Sequence, residues 1–238
     1  YDTIILSQWL RDVLIMQQKG AKKSIEKALD LLEALKEKDN LGVTELSNIL
    51  GLNKNNVFRI LATLEVKGLI EQDEETGNYR LGVKTLYLEY SFIKNLTILN
   101  HAKQFIKNLR NKTNETVYLS MLHQNDVIYF YSKESKSSVL AKSRLGKRYP
   151  ALTTAAGKAI LRAKKEPSEI FEVDFEETEK EVVEIATVIR DESDHPVAGI
   201  SIVAPVSRLN KNNYDGLFKH YLLETAKEIT NINKIVLP

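Results

Sequence analysis

The chain has 238 residues, 43% of them hydrophobic, with no Cys and a net charge of +2 from 34 Lys and Arg against 32 Asp and Glu. That length and apolar content suit one or two domains with sizeable cores, and no run approaches the ~18 apolar residues of a membrane span. The missing Cys excludes disulfides and thiolate metal sites, the near-neutral charge does not announce a polyanion binder, and no secretory leader is legible, so a cytoplasmic setting is expected.

Residues 1–23 read as an apolar and basic extension. Ile4, Ile5, Leu6, Trp9, Leu10, Val13, Leu14, Ile15 and Met16 recur at helical spacing over more than one face, ahead of the basic stretch Lys19 to Lys23. A solvated tail lacks this composition. A helix packed on its own domain is one reading. A helix packed across a dimer interface is preferred, because a small domain has little spare surface.

Residues 24–90 read as one module. Ser24 is a candidate N-cap for a helix with the apolar stripe Ile25, Ala28, Leu29, Leu32 and Leu35, ending at Asp39-Asn40. A short helix, Thr44 to Leu50, carries Glu45 in its first turn, where the helix dipole favours an acid. Gly51 turns the chain, and Asn53 caps a second helix. Gly68, a strand, an acidic turn ending in Thr76-Gly77, and a second strand, Tyr79 to Leu81, complete a helix, turn, helix, wing order. That order offers one helix to the DNA major groove.

On this helix Val57, Ile60, Leu61 and Leu64 make a buried face at i, i+3, i+4 and i+7. Lys54, Asn55, Asn56, Phe58, Arg59 and Thr63 lie on the other side. Asn suits adenine and Arg suits guanine, while a Phe in the groove can touch thymine methyls. Gly77 and Asn78 favour a tight hairpin, Lys67 and Arg80 flank it with charges for phosphate, and Asn78 is expected among the DNA contacts. An ordinary amphipathic helix would show the same polar face; the wing after it favours DNA. Between Ser24 and Gly82 there are seven Lys and Arg against eleven Asp and Glu. The few cations must therefore be placed on phosphates and the acids turned away.

Residues 91–238 read as a second domain. Gly82 to Asn111 reads as helix, with the joint between domains near Ser91 to Thr97 and no Pro- or Gly-rich linker. Val117 to Leu122 and Val127 to Lys133 predict a hairpin, Val139 to Leu145 a third strand, and Thr153 to Arg162 a short helix. Val182 to Arg190 and Val197 to Pro205 predict another hairpin. Tyr214 to Asn231 predicts a closing helix with Leu217, Phe218, Tyr221, Leu222, Ala226 and Ile229 inward. Hairpins with flanking helices mean an antiparallel sheet, hence α+β.

Catalytic chemistry is not visible. His101, His123, His195 and His220 have no ligand spacing, Gly157-Lys158 lacks the rest of a phosphate loop, and no Ser sits in a nucleophile elbow. The acidic run Glu172, Asp174, Glu176, Glu177, Glu179, Glu181 and Glu184 reads as a solvated face. The expectation is no enzyme, no metal and no cofactor.

Ser24 to Leu32, Glu45-Leu46-Ser47, Gly51-Leu52-Asn53-Lys54, Arg59 to Leu64, Gly68-Leu69-Ile70 and Tyr79-Arg80-Leu81-Gly82 resemble the winged-helix half of IclR-family transcriptional regulators. Tyr118 to Leu122, Val127 to Tyr131, Ser143-Arg144-Leu145-Gly146, Ala155 to Ala159 and Gly199 to Ile202 resemble that family's effector-binding half. The resemblance runs in order from about residue 24 to 232 and implies a GAF- or profilin-like sheet domain. It implies an effector beside Pro150 to Gly157, reaching Tyr149, Ala155, Ala156, Asp174, Glu184 and Ser201. The two Ala leave space there, and free amides at a helix start can hold a carboxylate. Two departures stand out. Ala163 to Val173 bridges a gap where the family has several more turns, and Glu184 stands where a neutral side chain is common. An ionised Glu184 disfavours an acidic effector unless Lys158 or Arg148 neutralises it.

The expected protein is a DNA-binding transcriptional regulator, a repressor rather than an activator by family habit. It would act as a homodimer or dimer of dimers under a small-molecule effector, with no membrane partner. One alternative keeps DNA binding but leaves the second domain only to oligomerise. Another is an enzyme with a winged-helix appendage, which lacks a catalytic constellation.

Overall fold

The structure, a computed structural model, describes residues 23–236. The segment around Trp9 and Leu10, and the basic residues before Lys23, lie outside the described residues. The chain divides into two compact units, one through Asn95 and one from Leu96 onward.

In the first unit α1 covers residues 23–37, α2 is Val43–Leu50, α3 Lys54–Val66, β1 Ile70–Gln72, β2 Tyr79–Leu81 and α4 Lys84–Lys94. Residue 23 is already helical, so Ser24 is not the N-cap. The buried stripe of α1 is also rotated from the expected one. Leu31 and Leu35 enter the core with Leu41, Leu46, Leu61 and Tyr79, whereas Ile25 and Leu29 stay exposed. The helix is apolar on two sides, and its own periodicity does not tell which side α2 and α3 will cover.

Local signals elsewhere act as read. The Glu45 carboxylate accepts from the Gly42 amide at 3.1 Å and from Lys38 Nζ at 2.8 Å, tying the start of α2 to the end of α1. Gly51 adopts φ 60°, the left-handed conformation that ends α2 without a Cβ clash. Asn53 accepts from the Asn56 amide at 2.9 Å and caps α3. β1 and β2 pair antiparallel with Glu71 opposite Arg80, and Asp73 holds the turn by accepting from the Thr76 amide and hydroxyl, each at 2.8 Å.

The helical stretch expected over Gly82 to Asn111 is two helices, broken within the expected joint from Ser91 to Thr97. Asn95 ends α4, and Leu96 leaves the helical region at ψ 85° before α5, Thr97–Thr113. No residue of α4 is buried.

The second unit continues with β3 Thr116–His123, β4 Asp126–Lys133, β5 Arg148–Pro150, α6 Ala155–Ala163, β6 Glu172–Phe175, β7 Val182–Arg190 and β8 Pro196–Pro205. A π-type turn, Tyr214–Phe218, leads into α7, Lys219–Val236. The six strands form one antiparallel sheet in the order β5-β4-β3-β8-β7-β6. This is the expected α+β fold, a winged helix-turn-helix followed by an antiparallel-sheet domain.

On β7, Val182, Ala186 and Val188 share a core with Ala155, Ala156, Ala159 and Ile160 of α6. Val183, Ile185 and Ile189 are as fully buried on the opposite face, on strands that α7 contacts. A strand covered on both sides leaves no solvated face for a charged residue.

Three expectations fail here. Val139 to Leu145 is not a strand; only Leu145 bridges to Tyr129, and the ladder partners of β4 are β3 and β5. The segment runs irregularly because it carries the fully buried Arg144 into the core, whose backbone amide donates to Tyr118 Oη at 3.2 Å instead of a ladder carbonyl. The closing helix begins at Lys219, with Leu222, Ala226 and Ile229 buried but Leu217 exposed, because Gly216 breaks the helical path (φ −96°, ψ −122°). The acidic run is not wholly solvated: Asp174 and Glu184 are buried, since β6 and β7 fold that stretch into the sheet.

Candidate functional site

The first candidate surface is built on α3. Burial of Val57, Leu61 and Leu64 fixes the rotation of the helix. It leaves Lys54, Asn55, Asn56, Phe58, Arg59 and Thr63 exposed on the outward side, with Lys67 at the C-terminus. Phe58 is 50% exposed, an apolar ring presented to whatever approaches. The Thr63 hydroxyl donates to the Arg59 carbonyl at 2.9 Å, so its proton serves its own helix. Asn56, Arg59 and Thr63 also line a groove of ≈ 470 Å³ with Lys23, Ser24 and Lys27 of α1, which adds two cations that the motif alone does not indicate.

The two wing residues have internal partners. Asn78 Nδ2 donates to the Asn40 carbonyl at 3.3 Å, fastening the wing to the α1–α2 connection. Arg80 Nε donates to Glu71 Oε1 at 2.7 Å across the wing, and that hydrogen bond is the leading cause of its raised pKa. A phosphate would compete with Glu71 for this guanidinium. Glu71→Ala is therefore expected to strengthen binding to duplex DNA of any sequence by about threefold at low salt, the gain shrinking as salt rises. Fluorescence anisotropy at two salt concentrations measures it; unchanged affinity would remove Arg80 from the phosphate contacts.

The second candidate site lies between α6 and the sheet. Thr154 caps α6 by accepting from the Gly157 amide at 3.1 Å, and Ala155 and Ala156 are fully buried at its start. A Cβ on Gly157 would run into the Ala151 backbone, so this glycine lets the entering chain lie against the helix. Glu184 points from β7 at the same place and is fully buried. Its Oε2 accepts from the Ala155 amide at 3.0 Å and from Arg144 Nη1 at 3.1 Å. Its Oε1 accepts from Tyr129 Oη at 2.9 Å.

Tyr149 stands edge-on to Tyr129 at 5.8 Å, and the Arg144 guanidinium lies over both rings, 5.2 Å from Tyr149 and 5.6 Å from Tyr129. Burial is the largest single influence on Arg144 and pulls its pKa down, but Glu184, Tyr129 and Tyr149 together outweigh it and hold the guanidinium above its ordinary range. Burial, reinforced by Glu184 and opposed by Arg144, pushes the Tyr129 phenol well up. The network is thus one buried cation, one carboxylate and a neutral phenol.

Ser201 sits on β8 opposite Ala186, and its Oγ has no hydrogen-bond partner among the described residues. Asp174 stands opposite Glu184 in the ladder, yet its carboxylate serves its own turn, accepting from the Glu177 amide at 2.8 Å. Of the cations considered for Glu184, Lys158 instead pairs with Glu177 at 2.6 Å. The partner is Arg144, together with Tyr129. Both lie in stretches that carry the family resemblance, but neither was read as a site residue, and nothing in the spacing joins residue 144 to residue 184.

Two family models match the chain. The IclR helix-turn-helix domain covers residues 24–74, and the bacterial transcriptional regulator IclR C-terminal domain covers 90–172 and 168–231. The two blocks meet in the short connection from α6 to β6. The HTH-type transcriptional regulator XynR of Escherichia coli is 33% identical over 140 residues, 58% of this chain and 56% of that protein. KdgR of Dickeya chrysanthemi is 31% identical over 165 residues, 68% of this chain and 54% of KdgR, so both matches span little more than half the relative's length. The HTH-type transcriptional repressor AllR of Salmonella typhimurium is 26% identical over 90% of both chains. Among solved structures, the Thermotoga maritima IclR superposes with a TM-score of 0.69 at 22% identity, covering 90% of this chain and 99% of that one. An IclR homolog from Microbacterium hydrocarbonoxydans, complexed with 4-hydroxybenzoate, gives 0.74 at 16% identity, covering 89% and 99%. At such identities the likeness speaks for the fold.

Proposed function

The chain belongs to the IclR family of transcriptional regulators, and from this we propose that it is a sequence-specific repressor that binds duplex DNA in the cytoplasm as a homodimer or dimer of dimers, under a small-molecule effector. Residues 24–90 form the DNA-binding module and residues 91–238 the effector and oligomerisation domain. The observation that carries the reading is the outward face of α3. Asn55, Asn56, Phe58 and Arg59 stand exposed on a helix whose opposite side is locked in the core, with a wing beside it. Lys54, Lys67 and Arg80 serve phosphates, and Asn55, Asn56, Phe58, Arg59 and Thr63 face the bases; Asn78 holds the wing in place.

Self-association draws support from α4, where Leu86, Tyr87, Leu88, Tyr90 and Phe92 are all exposed on one short helix. Such a surface calls for a cover, and a twofold partner also doubles the few base pairs that one winged helix can read. The relatives named as regulators and repressors favour DNA binding over catalysis. The homolog holding 4-hydroxybenzoate supports a fold that can accommodate a small organic ligand. In this chain Tyr149, Ala155, Ala156, Asp174, Glu184 and Ser201 define the region of that site. A second reading, in which the second unit only oligomerises, draws on the burial of Ala155, Ala156, Glu184 and Ser201.

Selection of bound duplexes from a random pool, followed by footprinting and light scattering of the complex, tests the proposal. The expected result is a twofold-symmetric protected site with two or four chains bound. Equal retention of all sequences, or a single chain on one asymmetric half-site, would overturn it.

A further inference from the structure

Three donors converge on one carboxylate in the core of the second unit. Tyr129 Oη, Arg144 Nη1 and the Ala155 amide all lie within 3.1 Å of a Glu184 oxygen. A guanidinium, a hydroxyl and the first amide of a nine-residue helix, all out of water, are the parts from which anion sites are made. Nothing in the packing of β7 calls for a charge there: the neighbours of Glu184 along that face are Val182 and Ala186, and across the ladder Val203 and Asp174, the latter an acid turned to the Glu177 amide.

A second observation shows that Arg144 is not matched to Glu184 as a dedicated ion-pair partner would be. Arg144 is fully buried, yet its Nε and Nη2 have no hydrogen-bond partner among the described residues. Arg–carboxylate pairs are frequently bidentate, with two parallel bonds; here Glu184 is met by Nη1 alone, and that nitrogen is shared with Tyr129 Oη at 3.2 Å. The arrangement resembles a ligand held from several sides by separate elements: β4, the 138–147 segment and α6.

We propose that Glu184 is a built-in ligand: its carboxylate fills a carboxylate-binding seat made by Arg144, Tyr129 and the start of α6, and so closes that seat to acids from solution. The seat stands on this geometry alone, and rests on the sensor reading only for its effect on DNA. Two consequences follow. The native chain does not take a small monocarboxylate at this place, because a second anion would share one buried cation. Cutting the side chain back to a methyl group removes the equivalent of an acetate ion and leaves the seat for acetate itself.

The test compares the full-length native chain, Glu184→Ala and Glu184→Gln in thermal melts with acetate or its neutral isostere acetamide, at constant ionic strength. Glu184→Ala is expected to melt about 10 °C lower, as for a buried pair that loses one partner. Acetate at about 100 mM should recover roughly half of that loss by binding the folded form, and acetamide should not. Glu184→Gln loses the charge but fills the space, so it should melt lower and ignore both additives. The native chain should ignore both as well. Should Glu184→Ala fail to fold unaided, its yield on refolding from urea in acetate against acetamide gives the same comparison.

Native chain stabilised by acetate, or Glu184→Ala indifferent to it in both formats, would overturn the proposal. None of these readings involves DNA, so failure of the repressor reading would be seen separately. With the selected duplex, acetate should change the affinity of Glu184→Ala and leave that of the native chain unchanged; an equal response from both would also count against a closed seat.

Discussion

Arg144→Met is expected to destabilise the second unit by about 3–5 kcal/mol, the loss found when one member of a buried ion pair is removed. The side chain is fully buried and its Nη1 is 3.1 Å from Glu184 Oε2. Met approximates its length without its charge, so the cost falls on Glu184, left with the Tyr129 hydroxyl and the Ala155 amide against the desolvation of a full charge. Adding Glu184→Leu to Arg144→Met should recover most of the loss, because replacing both members of a buried pair by apolar groups is often neutral or stabilising. Urea unfolding followed by circular dichroism at fixed protein concentration measures the series. A double variant no more stable than Arg144→Met would mean that the loss comes from the packing of Arg144 on Tyr129 and Tyr149, at 5.6 and 5.2 Å, and not from the stranded carboxylate.

Arg59→Ala is expected to weaken specific DNA binding by about 1–3 kcal/mol, roughly 5- to 150-fold, as for one lost bidentate base contact. Stability should change by less than about 0.5 kcal/mol, as for other surface positions. Arg59 is exposed on α3, on the side away from Val57, Leu61 and Leu64. Titration of the selected duplex and of a scrambled duplex separates a base contact from a phosphate contact. A base contact lowers affinity for the first alone, whereas an equal loss on both would move Arg59 to the phosphates. Glu71→Ala, acting through Arg80, is the matching phosphate-side change and should affect both duplexes alike.

The first unit was largely legible because its signals are local. Asn53 caps α3 through an amide three residues away, Gly51 supplies the left-handed turn, and Gly77 and Asp73 shape the wing, all within a few residues of one another. Periodicity located the buried face of α3 because its aliphatic residues cluster on one side, despite Phe58 on the other. It failed on α1, where Ile25 and Leu29 compete with Leu31 and Leu35, and only the cover from the rest of the module chose between them.

In the second unit the two hairpins followed from β-branched runs, so the sequence by itself determined those hairpins, a helix over the span of α6, and the family, whereas β5 and β6 were not read as strands. The environment of Glu184 was decided only by the tertiary structure. Arg144 lies 40 residues from it in sequence and Tyr129 lies 55, and both reach it because β4 and β7 belong to one sheet while the chain after β4 crosses towards α6. A local pattern reports which face a residue takes, through the alternation of the pleat. Which charge meets it there depends on how distant strands are ordered, and strand order is set by the packing of the whole sheet.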